Sequence, residues 1–349
     1  MKIAILTHPP ARNYGGIMQA LALSSALREL GHQCVILYGP VKKPSFFRRF
    51  KTGIQSLFGK DREKPYRNLR RFVEEHLPVS APWDGKTIPD CDCFIVGSDQ
   101  VWRPRYTPLP GAYFLDFLPE GCPAKKIAYS ASFGVAQWEF TPVQTEEFGR
   151  LLRNFDVVSV REESGVDLCK KYLNCPAQQM PDPVLLHEAD FYRKLIPADK
   201  KKNSQKTLFV YFLDPDQNKS ALAHTFAEKE GLYLVDFLPA DKKALRRELE
   251  EFICGIDQAS FVLTDSFHGM VFSMILGVPF AVTGNAKRGM ARFDLAIKAG
   301  VPEALLGEED QLAALQKLYR SPLPGKVREF LEKERLRGRA FLQKHTVGS

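Results

Sequence analysis

No apolar run in the 349-residue sequence approaches the roughly 20 residues that a bilayer-spanning helix needs, which excludes an integral helical membrane protein. The first residues, Met1-Lys-Ile-Ala-Ile-Leu-Thr-His8, lack the length and cleavage site of a signal peptide and read as a strand, so a cytoplasmic protein is expected. Paired metal-binding cysteines are missing. The seven cysteines (Cys34, Cys91, Cys93, Cys122, Cys169, Cys175 and Cys254) are odd in number, contain no Cys-x-x-Cys, and have no histidine at zinc spacing. No metal site is therefore expected, and reduced structural thiols are. The G-x-G-x-x-G fingerprint is absent after the first strand, which removes the dinucleotide signal. Internal repeats and low-complexity tracts are absent as well. No nucleic-acid-binding motif accompanies the positive charge, so no nucleic-acid partner is expected.

What remains is a globular chain. Its 44% apolar content is enough for packed cores, and its length exceeds what one core usually organises, so two domains are expected. The net charge of +8 is concentrated. Between Val41 and Ser80, eleven Lys/Arg stand against four Asp/Glu, a net of +7. Within it, Phe46-Phe-Arg-Arg-Phe50 and Tyr66-Arg-Asn-Leu-Arg-Arg-Phe72 mix aromatic and basic residues at helical spacing. Such a segment suits an anionic membrane surface or a polyanionic ligand; the plainer alternative is a pair of solvated surface helices.

Strand and helix patterns alternate along most of the chain. The first unit is a strand at 2–7, a helix from about Ile17 to Leu30, and a strand from Gln33 to Tyr38. Gly15 and Gly16 precede that helix and would let a ligand approach the backbone, or would simply form a tight turn. A strand from Cys91 ends in Gly97-Ser98-Asp99, small and polar groups at the end where open α/β sheets bind ligands. A strand at 157–160 ends in Arg161, which suits a bidentate grip on carboxylate or phosphate, or an ion pair with Glu162 or Glu163. The best linker is Asp199 to Gln205, after which alternation restarts. A charged helix from about Lys243 to Cys254 leads to the most informative stretch, Phe261 to Phe280.

That stretch opens with a buried-strand pattern and continues through Thr264, Asp265 and Ser266, which can cap a helix. Gly269 removes a side chain where the backbone turns, and an apolar helix from Met270 to Leu276 ends at Gly277. His268 therefore falls at a strand-to-helix junction, where helix amides and the dipole favour an anion. A satisfied histidine at a helix cap is the plainer alternative. The expected architecture is α/β, with two Rossmann-like domains facing a cleft. The first covers 1–195 with a basic insertion at 41–82, the second 206–320, and a helix at 325–349 packs back across the junction.

Seven pieces of this chain, in order, resemble the polysaccharide pyruvyl transferase family. They are Asn13-Tyr-Gly-Gly16, Val96-Gly-Ser-Asp-Gln-Val-Trp102, Tyr129-Ser-Ala-Ser-Phe-Gly134, Ser159-Val-Arg-Glu-Glu-Ser-Gly165, Asp182-Pro-Val184, Thr264-Asp-Ser-Phe-His-Gly269 and Arg288-Gly289. The resemblance implies a GT-B-like fold and transfer of pyruvate from phosphoenolpyruvate onto two sugar hydroxyls, forming a ketal. It implies no cofactor beyond that donor, and a glycan acceptor that is free or lipid-linked. His268 stands at the family's histidine position, the expected catalytic group. Some members carry Arg-Leu before that histidine where this chain has Ser266-Phe267, leaving Arg161, Arg288 and Arg292 as donor-binding candidates. Asn13, Gly15, Gly16, Ser98, Asp99, Ser266 and Gly269 are the other expected substrate contacts. Two further functions stay open. A nucleotide-sugar glycosyltransferase usually places a glutamate in the helix before the Gly-x-Pro turn, and Met270 to Leu276 contains no carboxylate. The other is a non-enzymatic glycan-binding protein, to which the basic segment is suited.

Overall fold

The computed structural model describes residues 1–10, 12–38, 64–79, 83, 87–107, 109–200, 205–238, 245–284, 293–307 and 310–347. Most of the basic segment, the middle of the expected linker, and both Arg288 and Arg292 lie outside the described residues. The chain divides into two compact units. Unit 1 is Met1–Leu186 with Glu334–Ser349, and unit 2 is His187–Lys333.

In unit 1 the elements are β1 (Lys2–Thr7), α1 (Tyr14–Glu29), β2 (Gln33–Tyr38), α2 (Arg67–His76), β3 (Cys93–Val96), β4 (Lys125–Ala131), α3 (Pro142–Leu152), β5 (Val157–Val160), α4 (Glu163–Leu173) and β6 (Gln178–Gln179). The strands form one sheet in the order β2-β1-β3-β4-β5-β6, with every neighbouring pair parallel. Parallel strands covered on both faces need near-continuous apolar sequence. Ile3 to Leu6 and Cys93 to Val96 supply it, every residue almost fully buried. The core stacks aromatic rings, with Trp102 on Phe114 at 5.1 Å and Phe114 on Phe148 at 4.1 Å between centroids.

Helix α1 begins at Tyr14, three residues earlier than expected. Asn13, in extended conformation, caps it by accepting the Gly15 N–H at 3.1 Å. Gly15 and Gly16 thus belong to the helix's first turn and not to a preceding loop. Helix α2 shows why its part of the basic segment is not a lipid-inserting face. Leu69, Phe72 and Val73 are buried in the unit, while Arg67, Arg70 and Arg71 are exposed. Its Phe72 serves packing, and its outward face carries Arg67, Arg70 and Arg71 together with Glu74 and Glu75.

Unit 2 contains α5 (Ala189–Arg193), β7 (Thr207–Tyr211), α6 (Gln217–Glu230), β8 (Tyr233–Asp236), α7 (Leu249–Asp257), β9 (Phe261–Thr264), α8 (Phe267–Leu276), β10 (Phe280–Val282), α9 (Asp294–Lys298) and α10 (Gln311–Tyr319). Its sheet runs β10-β9-β7-β8, again parallel throughout. The helix expected from Lys243 starts at Leu249, where the apolar face formed by Leu249, Phe252, Ile253 and Ile256 begins to be buried. Helix α8 is apolar and buried around most of its surface, including Met270, Val271, Phe272 and Met274. Each such side chain contributes about 1.5–3 kcal/mol by leaving water. Gly277, at φ 77°, ends it in the left-handed region.

The final helix, α11 (Gly325–Thr346), is continuous, and from Glu334 onward it belongs to unit 1. There Phe341, Leu342 and Thr346 are buried. Gly338 lies so close to Tyr129, Leu186 and Pro181 that a Cβ would press on all three. Arg339 donates to the Leu186 carbonyl at 2.8 Å and to Glu29 at 2.6 Å. Among the described residues, no helix is long and apolar enough to cross a membrane.

Candidate functional site

In open parallel sheets, ligands bind outside the carboxyl ends of the strands, at the point where strand order reverses. Unit 2 reverses between β7 and β9, because β8 lies on one side of β7 and β9 with β10 on the other. His268 is the second residue of α8, immediately after β9, and so stands at this reversal.

The residues before it build the turn. Thr264 Oγ1 donates to the Tyr211 carbonyl across the strands at 2.6 Å and accepts the Ser266 N–H at 3.0 Å. Asp265 is fully buried and accepts from the Leu213 and Asp214 N–H groups, at 2.6 and 3.1 Å, and from Lys219 Nζ at 2.8 Å. Asp265 therefore ties the end of β7 to the end of β9. Ser266 caps α8 by accepting the Gly269 N–H at 3.4 Å. Gly269 allows the helix to pass close to Thr264, whose hydroxyl would collide with any Cβ there. His268 is half-buried, with its ring edge-on to Phe267 at 5.2 Å. An imidazole at a helix start can move a proton in either direction near neutral pH, beside amides that favour an anion.

Unit 1 reverses between β1 and β3, with β2 on one side and β4 onward on the other. At those two strand ends lie His8, the capping Asn13, Gly15, Gly16, Ser98 and Asp99. Gln19, which sequence reasoning did not single out, joins them. Its Nε2 donates to Thr7 Oγ1 at 2.9 Å and to the Gly16 carbonyl at 3.0 Å, and its Oε1 accepts the Ser98 N–H at 3.2 Å. The available signal was one amide side chain among the apolar residues of α1. Asp99 Oδ1 accepts the Gln100 N–H at 2.7 Å, and its Oδ2 lies 3.3 Å from where a Cβ on Gly16 would stand. Gly97, at φ 128°, is forced to be glycine, since a Cβ would overlap the Tyr129 carbonyl; the Gly97–Ser98 peptide is cis.

Arg161 follows β5 and is only 8% exposed. Its Nε donates to Glu162 at 2.9 Å, Nη1 to Asp182 at 3.2 Å and Nη2 to Ser132 Oγ at 3.1 Å. Of the two sequence-level alternatives, the geometry is that of the ion pair, widened to include Asp182. Burial opposes the positive charge, but Glu162, Asp182 and Asp99 outweigh it and raise the guanidinium pKa further. Ser132 donates in turn to Glu162 at 2.8 Å, and Asp182 accepts the Val184 N–H at 3.1 Å. The matching motifs at 129–134, 159–165 and 182–184 thus meet in one buried network. The structure brings Asn13, Gly15, Gly16, Ser98 and Asp99 together in unit 1, and Ser266, His268 and Gly269 together in unit 2.

A sequence profile described as polysaccharide pyruvyl transferase matches residues 13–287. No curated protein matches the chain by sequence. Among solved structures, a Listeria monocytogenes protein assigned as a UDP-N-acetylglucosamine 2-epimerase is 13% identical, with a TM-score of 0.54 over 100% of this chain and 97% of that one. S. aureus MnaA, solved with UDP, is 12% identical, with a TM-score of 0.54 over 96% and 90% of the two chains. Arabidopsis thaliana UGT89C1, also complexed with UDP, is 10% identical, with a TM-score of 0.51 over 98% of each. At these identities the likeness is one of fold, and the fold is GT-B-like. The profile match covers most of the chain, so the protein belongs to the polysaccharide pyruvyl transferase family and has a role in polysaccharide modification.

Proposed function

We propose that the protein transfers pyruvate from phosphoenolpyruvate onto two hydroxyls of one sugar in a polysaccharide or its lipid-linked precursor. The product is a cyclic ketal, and phosphate is released. The observation that carries this reading is the position of His268, in the first turn of α8 at the strand-order reversal of unit 2.

The reaction needs three proton movements. The enol methylene of the donor must gain a proton to become a methyl group, which leaves an oxocarbenium-like carbon. The two attacking hydroxyls each lose a proton; one balances the methyl group and the other leaves with phosphate. His268 is the proposed acid that protonates the methylene, and its neutral form can then accept a hydroxyl proton. The donor's phosphate and carboxylate suit the start of α8, where the first amides lack intrahelical acceptors and the dipole is positive. Arg288 and Arg292 are proposed as donor cations on the sequence alone. Arg161 is proposed to act indirectly, by holding Ser132, Glu162 and Asp182 in place. The cations of 41–80 are proposed to contact an anionic membrane surface, where a lipid-linked acceptor would be found.

The test is incubation with phosphoenolpyruvate and a panel of free and lipid-linked glycans, followed by phosphate assay and mass spectrometry. The expected result is phosphate release matched by a ketal mass gain on one glycan. Sugar transfer from a nucleotide donor with no consumption of phosphoenolpyruvate would replace this reading by a glycosyltransferase.

A further inference from the structure

Two loops meet at the strand-order reversal of unit 2, and one of the groups that joins them, Lys219, lies outside the motifs that match the family. Lys219 stands in the first turn of α6, where its N–H is accepted by the cap Asp216 at 2.9 Å. Its side chain turns back over the β7–α6 loop, with Nζ 5.6 Å from the centre of the Phe212 ring. From there Nζ donates to the Asp214 carbonyl at 3.1 Å and to Asp265 Oδ2 at 2.8 Å. The same Oδ2 accepts the Asp214 N–H at 3.1 Å, while Oδ1 accepts the Leu213 N–H at 2.6 Å. The bonds among Lys219, Asp214 and Asp265 close a ring, so the ammonium fastens the β7–α6 loop to the β9–α8 turn.

The pair is buried, with the Asp265 side chain 0% and that of Lys219 12% exposed. An ion pair removed from water adds little net stability, because desolvation offsets the attraction, but it can hold two elements in one geometry. The element held here is the turn into α8. Asp265 is followed at once by the cap Ser266, and His268 comes three residues after Asp265. Thr264 and Ser266 brace this turn from within, by accepting the Ser266 and Gly269 N–H groups. Asp265 and Lys219 brace it against a loop that lies far away in sequence. A proton donor must reach its target atom within hydrogen-bond distance, and a misplacement of about 1 Å can cost roughly 10²-fold in rate. An ammonium this close to a buried carboxylate is committed to the protein and not to a passing ligand.

We propose that Lys219 is a positioning residue, which acts through Asp265 to hold His268 where it can transfer a proton. The transferred proton belongs to the pyruvyl-transfer reading above; the hold on the imidazole is independent of it.

The experiment reads turnover and imidazole placement on the full chain. Lys219→Met removes the ammonium, Lys219→Gln is milder and keeps an N–H for Asp265, and Lys219→Arg keeps the charge. Both Lys219→Met and Lys219→Gln should lower kcat roughly 10–100-fold with the KM for phosphoenolpyruvate unchanged, and Lys219→Arg should recover most of the loss. In a His268→Ala background, the same substitutions should bring less than about threefold further loss, since both residues serve one proton transfer. The His268 Cε1–H resonance, identified by its disappearance in His268→Ala, should shift in Lys219→Met and Lys219→Gln and return in Lys219→Arg. Should Lys219→Met fail to fold, Lys219→Gln gives the same readings. A raised KM with kcat intact would make Lys219 a donor-binding cation and overturn the proposal. An equal loss without His268 would overturn it too, by making the lysine merely structural, and so would an unmoved His268 resonance. A wild-type protein that never consumes phosphoenolpyruvate would refute pyruvyl transfer and leave the resonance to decide whether Lys219 places the histidine.

Discussion

Three acceptors surround the Arg161 guanidinium, and two of them, Glu162 and Asp182, are carboxylates removed from water. Removing the arginine would leave these charges without their shared partner, and breaking a buried pair in this way costs roughly 3–5 kcal/mol. His268 is in a different situation, half-buried on a helix whose anchoring comes from Met270, Val271 and Phe272. Arg161→Ala should therefore lower the urea midpoint sharply. His268→Ala should fold normally and lose about 10²–10⁴-fold in turnover, the usual loss when a general acid–base is removed. Urea denaturation and phosphate release on both variants decide the matter. A stable Arg161→Ala protein with weakened donor binding would return the arginine to the substrate, and near-normal turnover by His268→Ala would remove the histidine from the chemistry. The His268 position was legible in sequence because strand, cap, small residue and helix are contiguous there. The Arg161–Asp182 pair was not, because 21 residues separate two groups that only the fold brings together.

Among the elements, α11 is the one whose docking should respond to pH. Thr346 gives its hydroxyl proton to the Leu342 carbonyl at 2.7 Å, so at 2.9 Å it can only accept from His32 Nε2. The other ring nitrogen, Nδ1, faces the Met1 ammonium at 3.4 Å and must keep its lone pair. Burial first, and this ammonium second, push the His32 pKa below its ordinary 6.5. Burial, Lys344 and Lys125 do the same to His345 on the same helix. With the folded pKa lowered, the unfolded chain binds more protons, so the stability these histidines allow is complete above about pH 6.5 and is lost as pH falls below it. The protection factors of amides at residues 341–346 should fall between neutral pH and pH 5.5, and His32→Gln should blunt the change. Equal protection factors at both pH values would exclude the coupling. The helix itself was evident from its charged, periodic sequence. The start of α1 was harder to place, because Gly15 and Gly16 have low helix propensity and only the Asn13 cap and the surrounding core bring them into the helix.

Across the whole molecule, a net +7 of the chain's +8 charge falls within residues 41–80. Helix α2 presents the described part of it outward, with Arg67, Arg70 and Arg71 exposed above a buried Phe72. Without its own aromatic residue to insert, α2 can attract a membrane only by charge. Binding to anionic liposomes should thus be weak, and it should fall with added salt as screening shortens to about 10 Å at 0.1 M. Cosedimentation with Arg48, Arg49, Arg70 and Arg71 neutralised checks this; unchanged binding would leave the segment a solvated face. The alternation of strands and helices made the α/β class legible from the chain alone. The strand orders, and hence the two reversals, came only from the fold.

Unit 1 is not contiguous: it is Met1–Leu186 together with the residues from Glu334 onward, after 147 residues of unit 2 have intervened. On the ribosome, the first-made residues therefore wait with Tyr129, Pro181 and Leu186 uncovered until Gly338 emerges to pack on them. The later-made unit 2 has its own sheet and can fold while unit 1 is still incomplete, so this nascent chain finishes its beginning last.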